Sequence, residues 1–450
     1  MGGQKLDSHY DHLVIGGGVV GAGIFRDLSL HGENVLLVDK GDFSAQTSQS
    51  SSKMLHGGIR YLENFDFALV KEALHEKNLW VKLAPHLTQE RMFSIPVYKE
   101  SKWPLPLVAI GLFLYDLLSF FKNPRFKVRG KKSTLKNLTG LKGDGLRGSG
   151  LYSDAIVEDS KLALECIYSS INPKAHAQNY IEVTSVEKTP SVLKVTLNST
   201  LSNESFEITT HNLLFATGPF TDQLMKKLNL PWEEKMIFSK GSHIWLKSDC
   251  LELSDPMVLQ TADNRVIFVI PQRGAILVGT TEKALNKDTD IFNIKADQEE
   301  IDYLINCLKS YFPGADITHS DIIKSFAGVR PLVAQGSKAR GKVSRNHKVL
   351  KPCDHVYVVI GGKYTTFRVM ASDLVKKLFK DLKRPYNPRL SKTPLTKKSV
   401  VGMEAPKDLS QNQIQKILDY EMPRTKDDFY TRRLSVIDRE NSKVKSPFIH

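Results

Sequence analysis

Residues 11–40 read DHLVIGGGVVGAGIFRDLSLHGENVLLVDK, and no other stretch constrains the fold as strongly. Leu13 to Ile15 reads as a short buried strand and Gly16 to Gly21 as a glycine turn. The residues to about His31 have helical spacing, and Val35 to Val38 reads as a second strand. The result is a β-α-β unit. Gly16, Gly18 and Gly21 match G-x-G-x-x-G in the required context. The first permits the tight turn, the second lets a pyrophosphate approach the backbone, and the third lets helix pack on strand. The helix's first N–H groups then face the phosphates. Asp39, 18 residues past Gly21, is placed to accept a hydrogen bond from a ribose 2′-hydroxyl and would repel a 2′-phosphate. Dinucleotide binding is the expectation, a purely structural glycine turn the alternative.

The 450-residue length predicts roughly three domains. With 41% hydrophobic and 25% charged residues, wholesale disorder, collagen-like structure and a multi-span membrane protein are excluded. The net charge of +14 suits an anionic substrate, anionic lipid or nucleic acid without choosing among them. Cys166, Cys250, Cys307 and Cys353 lack zinc or dithiol spacing and read as reduced thiols of a cytosol-facing chain. Met1 to Tyr10 is polar and lacks a signal-peptide core. No metal site is expected: His9 and His12 read as polar residues before the first strand.

Two further stretches are ambiguous on their own. Trp103 to Phe121 is dense in apolar residues, but Pro104 and Pro106 interrupt its start and Asp116 its surface. A buried helix is the first reading, a segment in the bilayer interface the second, and a transmembrane span the third. The acid-free basic run that follows, from Lys122 through Arg125, Lys127, Arg129, Lys131 and Lys132 to Lys136, matches a monotopic anchor. Thr47 to Glu63, TSQSSSKMLHGGIRYLE, reads either as a polar channel lining an extended ligand or as a serine-rich surface loop.

Taken together the motifs resemble the FAD-dependent glycerol-3-phosphate dehydrogenases, in the D-amino-acid-oxidase-like flavoprotein superfamily. The resemblance rests on IGGGVVGAG (15–23), TSQSSSKMLHGGIRYLE (47–63), LFLYD (112–116), YSDAIVEDSKL (152–162), ATGPFTD (216–222), KGSH (240–243), GTTEK (279–283), FAGVRPL (326–332) and GGKYTTFR (361–368). The blocks occur in order over about residues 10–380. They imply a mixed α/β (α+β) fold with three parts. A Rossmann-like FAD-binding domain would be built from 1–95, 150–238 and 322–385. An inserted antiparallel-sheet substrate domain would comprise 96–149 and 239–321, and a linker with a short helical cap 386–450. Local patterning agrees, with β-like runs at Tyr180–Val186, Asn212–Ala216 and Val356–Ile360, the last running into Gly361 and Gly362.

By this similarity FAD is the cofactor. Thr47 to Met54 (including Ser48, Ser51, Ser52 and Lys53) would follow the pyrophosphate and flavin, with His56 and Gly57 beyond them. Val183 would sit beside the adenine unless it is an ordinary core valine, Ala216 and Gly218 beside the ribose and pyrophosphate, and Gly361 to Thr365 beside the isoalloxazine. The implied reaction oxidises sn-glycerol 3-phosphate to glycerone phosphate. A phosphate handle calls for arginine, whose planar fork binds bidentately. Arg60 and Arg330, with Tyr61, are the candidates for phosphate or substrate oxygens, and Thr281 is a weaker one. Lys363 would stabilise negative charge on the reduced ring, or cap a helix terminus. His56 is the candidate base because an imidazole is poised near neutral pH, with His243 competing.

The resemblance also implies electron delivery to membrane quinone and a peripheral position on the inner face of the cytoplasmic membrane, with an anionic surface as partner and no nucleic acid. An oxidase using O2 is the nearest rival, followed by an amine or amino-acid oxidase of the same fold and a noncatalytic flavin-binding protein. Lys376 to Lys398 reads as a basic linker and Gln411 to Leu434 as a helical cap. The cap is shortened, which leaves homodimerisation open.

Overall fold

The computed structural model describes residues 6–202, 204–334, 347–403, 408–438, 442 and 444–448. Apolar runs with no polar alternation cannot face water on either side, so they fold as interior strands of a parallel sheet. His9–Ile15 pairs in parallel with Val35–Asp39 on one side and Ser205–Phe215 on the other. Ala175–Asn179 and Val356–Ile360 extend the parallel core at its two flanks. Helices Val19–Leu30, Asp159–Tyr168 and Phe367–Asp381 pack over it, burying Phe25, Leu28, Leu162, Ile167, Phe367 and Leu374. An antiparallel meander, Ile181–Lys188 and Leu193–Ser199, leads into Ser205–Phe215. The expected strand at Tyr180–Val186 thus starts one residue later, because Tyr180 takes a left-handed φ of 60° and turns the chain.

A second, mostly antiparallel sheet is the other half of the fold. Its long strands are Thr88–Tyr98, Leu146–Val157, Met236–Lys247 and Ile322–Val333. Its make-up differs from the expected domain cuts. Met54–Leu55, most of Thr88–Tyr98, most of Leu146–Val157 and Ile322–Val333, expected in the FAD-binding segments, hydrogen-bond within this sheet. Ladder pairing, which no composition shift marks, decides membership.

The apolar run at 103–121 is not the buried helix of the first reading. Pro104 and Pro106 occupy the cap and first turn of helix Leu105–Leu118, where a missing N–H costs nothing. Leu112, Tyr115 and Asp116 face inward, while Leu107, Ile110 (55% exposed), Phe113 and Leu117 face out. Phe65, Phe120 and Val128 are exposed as well. Asp116 belongs to the buried face, where its Oδ2 accepts the Phe126 N–H at 2.8 Å. Among the described residues no helix is long and apolar enough to cross a membrane.

The continuous cap helix expected over Gln411–Leu434 is broken. Helix Gln411–Tyr420 stops before Met422, which has φ 47°, and Pro423; a wide turn over Asp428–Arg433 follows. That turn is bound by charge. Asp42, just past the second strand, accepts from Arg432 Nε at 2.6 Å and from Arg433 Nη2 at 2.8 Å, and all three are buried. The two guanidinium groups hold the Asp42 carboxyl below its ordinary range against the opposing effect of burial. Arg433→Met therefore leaves a buried carboxylate half-compensated and should lower unfolding free energy by roughly 3–5 kcal/mol in urea denaturation. A loss under about 1 kcal/mol would show that the turn docks by packing alone.

Candidate active site

The carboxyl ends of the parallel strands open onto one cavity of about 470 Å³, lined by Ile15 and Gly16, Val38 and Asp39, Ala216 to Pro219, and Val359 with Gly361 to Tyr364. Glycine makes the approach possible at its centre. Gly16 has φ +103°, and a Cβ there would meet the Ala216 carbonyl oxygen at 2.7 Å; a Cβ on Gly21 would lie 1.8 Å from the Gly16 carbonyl oxygen. Gly21 accordingly packs helix on turn and does not line the cavity. Asp39 accepts from Gly17 N at 2.7 Å and Gly41 N at 2.9 Å, so the acid also fastens the turn it follows. Burial pushes its carboxyl up to about 6, opposed by those two N–H groups, so it is mostly ionised at neutral pH. Val183 lines the cavity with Glu182, and Phe292 stands across with Lys40 over its ring at 4.7 Å.

The hydroxyl run is a framework, not a loose loop. Ser48 Oγ accepts from Val19 N at 2.9 Å, Thr47 Oγ1 donates to Val329 O at 2.8 Å, and Ser51 Oγ donates to Asp159 Oδ2 at 2.7 Å. Ser52 Oγ pairs with His243 Nε2 at 2.9 Å. Thr47, Ser48, Ser51 and Ser52 all line the cavity. Lys53 does not: its ammonium turns away to Asp159 Oδ1 at 2.7 Å, inside the protein. Met54 and Gly57 lie behind the lining, and Thr365 accepts from His56 N at 3.1 Å without reaching the cavity.

The second wall follows from strand periodicity. Ser239, Gly241 and His243 lie directly opposite Arg330, Gly328 and Phe326, so these alternate residues share one sheet face. A Cβ on Gly241 would lie 2.3 Å from Arg330 Nη2, and its absence is what admits the guanidinium. Arg330 Nη1 donates to Lys240 O at 2.9 Å, and Nη2 to Thr281 O at 2.8 Å and Thr280 Oγ1 at 2.9 Å. The group is fixed by carbonyls on the cavity wall. Lys363 enters from the other sheet, its Nζ 3.6 Å from the Tyr61 ring centroid, and His56 completes this end.

Two expected substrate contacts fall elsewhere. Thr281 is buried, donating to Glu300 Oε1 at 2.6 Å and accepting from Ser242 N at 2.9 Å; its neighbour Thr280 lines the cavity instead. Arg60 is exposed on the short helix Ile59–Asn64, outside the lining, because that turn presents Tyr61 inward and Arg60 to solvent. His243 is stacked on Phe326 at 4.9 Å. Burial, then the charges of Arg330 and Lys53, push its imidazole down to about 3, so the ring is neutral at physiological pH. Sequence reasoning missed Thr280, Gly241 and Phe292. Gly241 was findable by continuing the period of two through KGSH and FAGVRPL, Thr280 stands beside the chosen Thr281 in GTTEK just past the strand Ala275–Gly279, and Phe292 sits in irregular chain without a motif. A further cluster of ligand-type side chains, His9, Asp11 and His211, lies at the surface at the opening end of the first strand, remote from the cavity by strand direction.

These residues fit an extended flavin dinucleotide. The glycine cradle leaves backbone open, a half-buried acid closes the second strand beside it, and the buried His243 Nδ1 has no partner among the described residues. The family model described as DAO, FAD dependent oxidoreductase, matches residues 11–370. The chain is thus a DAO-type FAD-dependent oxidoreductase, with FAD as its cofactor. Within that class it belongs to the FAD-dependent glycerol-3-phosphate dehydrogenase family. It is 33% identical over 388 residues to the aerobic glycerol-3-phosphate dehydrogenase of Staphylococcus aureus, covering 84% of this chain and 69% of the relative. Its fold is that of the Bacillus halodurans glycerol-3-phosphate dehydrogenase complexed with FAD, at TM-score 0.74 and 22% identity over 95% of this chain and 86% of that one. The Mycoplasma pneumoniae L-α-glycerophosphate oxidase with FAD bound is similar at TM-score 0.64 and 19% identity, over 86% and 98% of the two chains.

Gly16→Ala should leave a folded chain that retains under about a tenth of the wild-type FAD, read as visible absorbance per mole of protein, since a methyl there collides with Ala216 and forbids the backbone angle. Full occupancy in that variant would contradict the cradle.

Proposed function

We propose that the chain oxidises sn-glycerol 3-phosphate to glycerone phosphate and passes the electrons to a membrane quinone. The observation that carries the reading is the company in the cavity: Arg330, Lys363, Tyr61 and His56 all line it, together with the glycines that would flank the flavin. Two cationic side chains and a phenol suit a phosphate ester better than an amino acid. Arg330, held in place by the Lys240 and Thr281 carbonyls, clamps the phosphate without having to be ordered on binding. Lys363 and Tyr61 contribute further donors, and Arg60 is left to solvent.

Bound FAD supplies the acceptor for the hydride that leaves the alcohol carbon. His56 takes the hydroxyl proton. His243 is the weaker base, because its proton affinity is suppressed by burial and by Arg330; it serves as a neutral partner of Ser52. Lys363, on the cavity wall, favours negative charge developing nearby. The remaining cofactor contacts proposed are Gly16, Gly18, Asp39, Thr47, Ser48, Ser51, Ser52, Val183, Ala216, Gly218, Gly361 and Gly362.

Quinone as acceptor is supported by the exposed apolar face of helix Leu105–Leu118, which stands next to the basic run from Lys122 to Lys136. Such a face buries hydrocarbon at the bilayer interface while the cations meet anionic headgroups. The proposed position is therefore peripheral, on the cytoplasmic face.

Under argon, sn-glycerol 3-phosphate should bleach the visible flavin band, and a quinone analogue should restore it faster than air does; no bleaching would sink the substrate assignment, and faster recovery in air would favour an oxidase. Arg330→Ala should raise KM by ~30-fold or more, about 2 kcal/mol, with FAD retained, and an unchanged KM would remove the clamp. Replacing Ile110 and Phe113 together by Glu should abolish flotation with anionic vesicles while activity on a soluble acceptor persists. Undiminished flotation would place the membrane contact elsewhere.

A further inference from the structure

Three of the sequence blocks meet at a point the reaction chemistry does not use. LFLYD supplies Tyr115, YSDAIVEDSKL supplies Asp154, and the HGG of the third supplies Gly57. Gly57 N donates to Tyr115 Oη at 2.9 Å, and Tyr115 Oη donates to Asp154 Oδ1 at 2.8 Å. Asp154 Oδ1 also lies 3.3 Å from Gly57 N. All three residues are buried. Consecutive hydrogen bonds of this kind polarise one another, and each is stronger away from water.

The arrangement continues a β ladder by other means. Met54 and Leu55 pair with Ile156 and Ala155 in antiparallel register. One step on, the partner of the loop is no longer a backbone carbonyl but the Asp154 side chain, relayed by a phenol from helix Leu105–Leu118. A Cβ on Gly57 would sit 2.5 Å from the Tyr115 oxygen and 2.6 Å from Leu74 Cγ, so close seating of the phenol is what this position requires. The residue immediately before it is His56, which lines the cavity and donates its own N–H to Thr365.

We propose that Tyr115 and Asp154 are positioning residues that set the height of the His56–Gly57 turn against the cavity, and so place the imidazole for proton transfer. The proposal rests on the reading of His56 as the base. A displacement of about an ångström at such a group costs orders of magnitude in rate. Tyr115 therefore acts through Gly57 and touches no reactant. The rest of the wall behind the turn is charged in a balanced way. Lys77 Nζ reaches Glu90 Oε1 at 2.8 Å and Asn123 Oδ1 at 2.9 Å. Arg91, the ladder partner of Asp154, turns out to Ser254 and Asp255, and Tyr152 packs alongside. Burial, opposed by Lys77, Tyr115 and the Gly57 N–H, pushes the Asp154 carboxyl up to about 7. Loss of its charge as pH falls through neutrality weakens the acceptor that Tyr115 and Gly57 share.

The test compares the FAD-loaded wild type with Tyr115→Phe and Asp154→Asn. Hydrogen exchange at the Gly57 amide should be about tenfold faster in Tyr115→Phe, since its shorter acceptor is gone, the ring remains and only the 3.3 Å contact to Asp154 Oδ1 is left. With FAD content unchanged, kcat on glycerol 3-phosphate should fall about tenfold and KM by no more than ~3-fold either way, the signature of displaced catalysis without displaced binding. In Asp154→Asn the exchange protection of the Gly57 amide should lose the pH dependence through neutrality that it shows in the wild type. Unchanged Gly57 exchange in Tyr115→Phe would overturn the proposal, as would faster exchange with kcat intact or a pH-dependent protection of Gly57 that survives Asp154→Asn. A wild type that glycerol 3-phosphate does not bleach would defeat the substrate assignment instead, and the exchange measurement would still report on the relay.

Discussion

The arrangement depends on a parallel ladder that brings four apolar strands to the same edge, so that Ile15, Val38, Phe215 and Ile360 end side by side. Each end must turn sharply, and each turn leaves backbone N–H groups without a ladder partner. Gly16, Gly218, Gly361 and Gly362 take left-handed angles there, which keeps side chains out of the space the strands have opened. The cavity is a consequence of the sheet, not an addition to it.

The second sheet closes that space with chemistry of a different kind. Its Met236–Lys247 and Ile322–Val333 pair sets Arg330 across from Ser239 and Phe326 across from His243. Buried charge would be costly on such a wall, and it is relieved locally: Arg330 by backbone carbonyls, Lys53 by Asp159, Lys240 by Glu300 at 2.8 Å. The same economy holds the carboxy-terminal turn, where Arg432 and Arg433 converge on Asp42 two residues after the loop that bears Lys40. Arg432 also reaches Gln49 at 3.2 Å, next to the hydroxyl run, so this turn buttresses the wall that carries it.

Much of the cofactor half was legible in the sequence because it depends on local rules. The β-α-β unit, the acid at Asp39 and the strand at Val356–Ile360 each follow from periodicity and glycine placement within a short window. What was not legible depends on partners far along the chain. Nothing near Thr281 indicates that its hydroxyl is taken by Glu300, and nothing near Lys53 indicates Asp159. Arg60 and Tyr61 are neighbours, yet a single helical turn sends one to solvent and the other to the cavity. The apolar run at 103–121 misled in the opposite direction: its composition matched a core helix, but only the face carrying Leu112 and Tyr115 finds a core to join.

The central claim is that Arg330 and the glycines proposed to hold the flavin line one cavity, in which the phosphate ester would meet the ring. Diffraction from crystals of the FAD-loaded chain soaked with sn-glycerol 3-phosphate tests it most directly. The expected density has the pyrophosphate against Gly16 to Val19 and the substrate phosphate within hydrogen-bond reach of Arg330 and Lys363. A phosphate bound away from Arg330, or a flavin ring that does not reach Gly361 and Gly362, would contradict it.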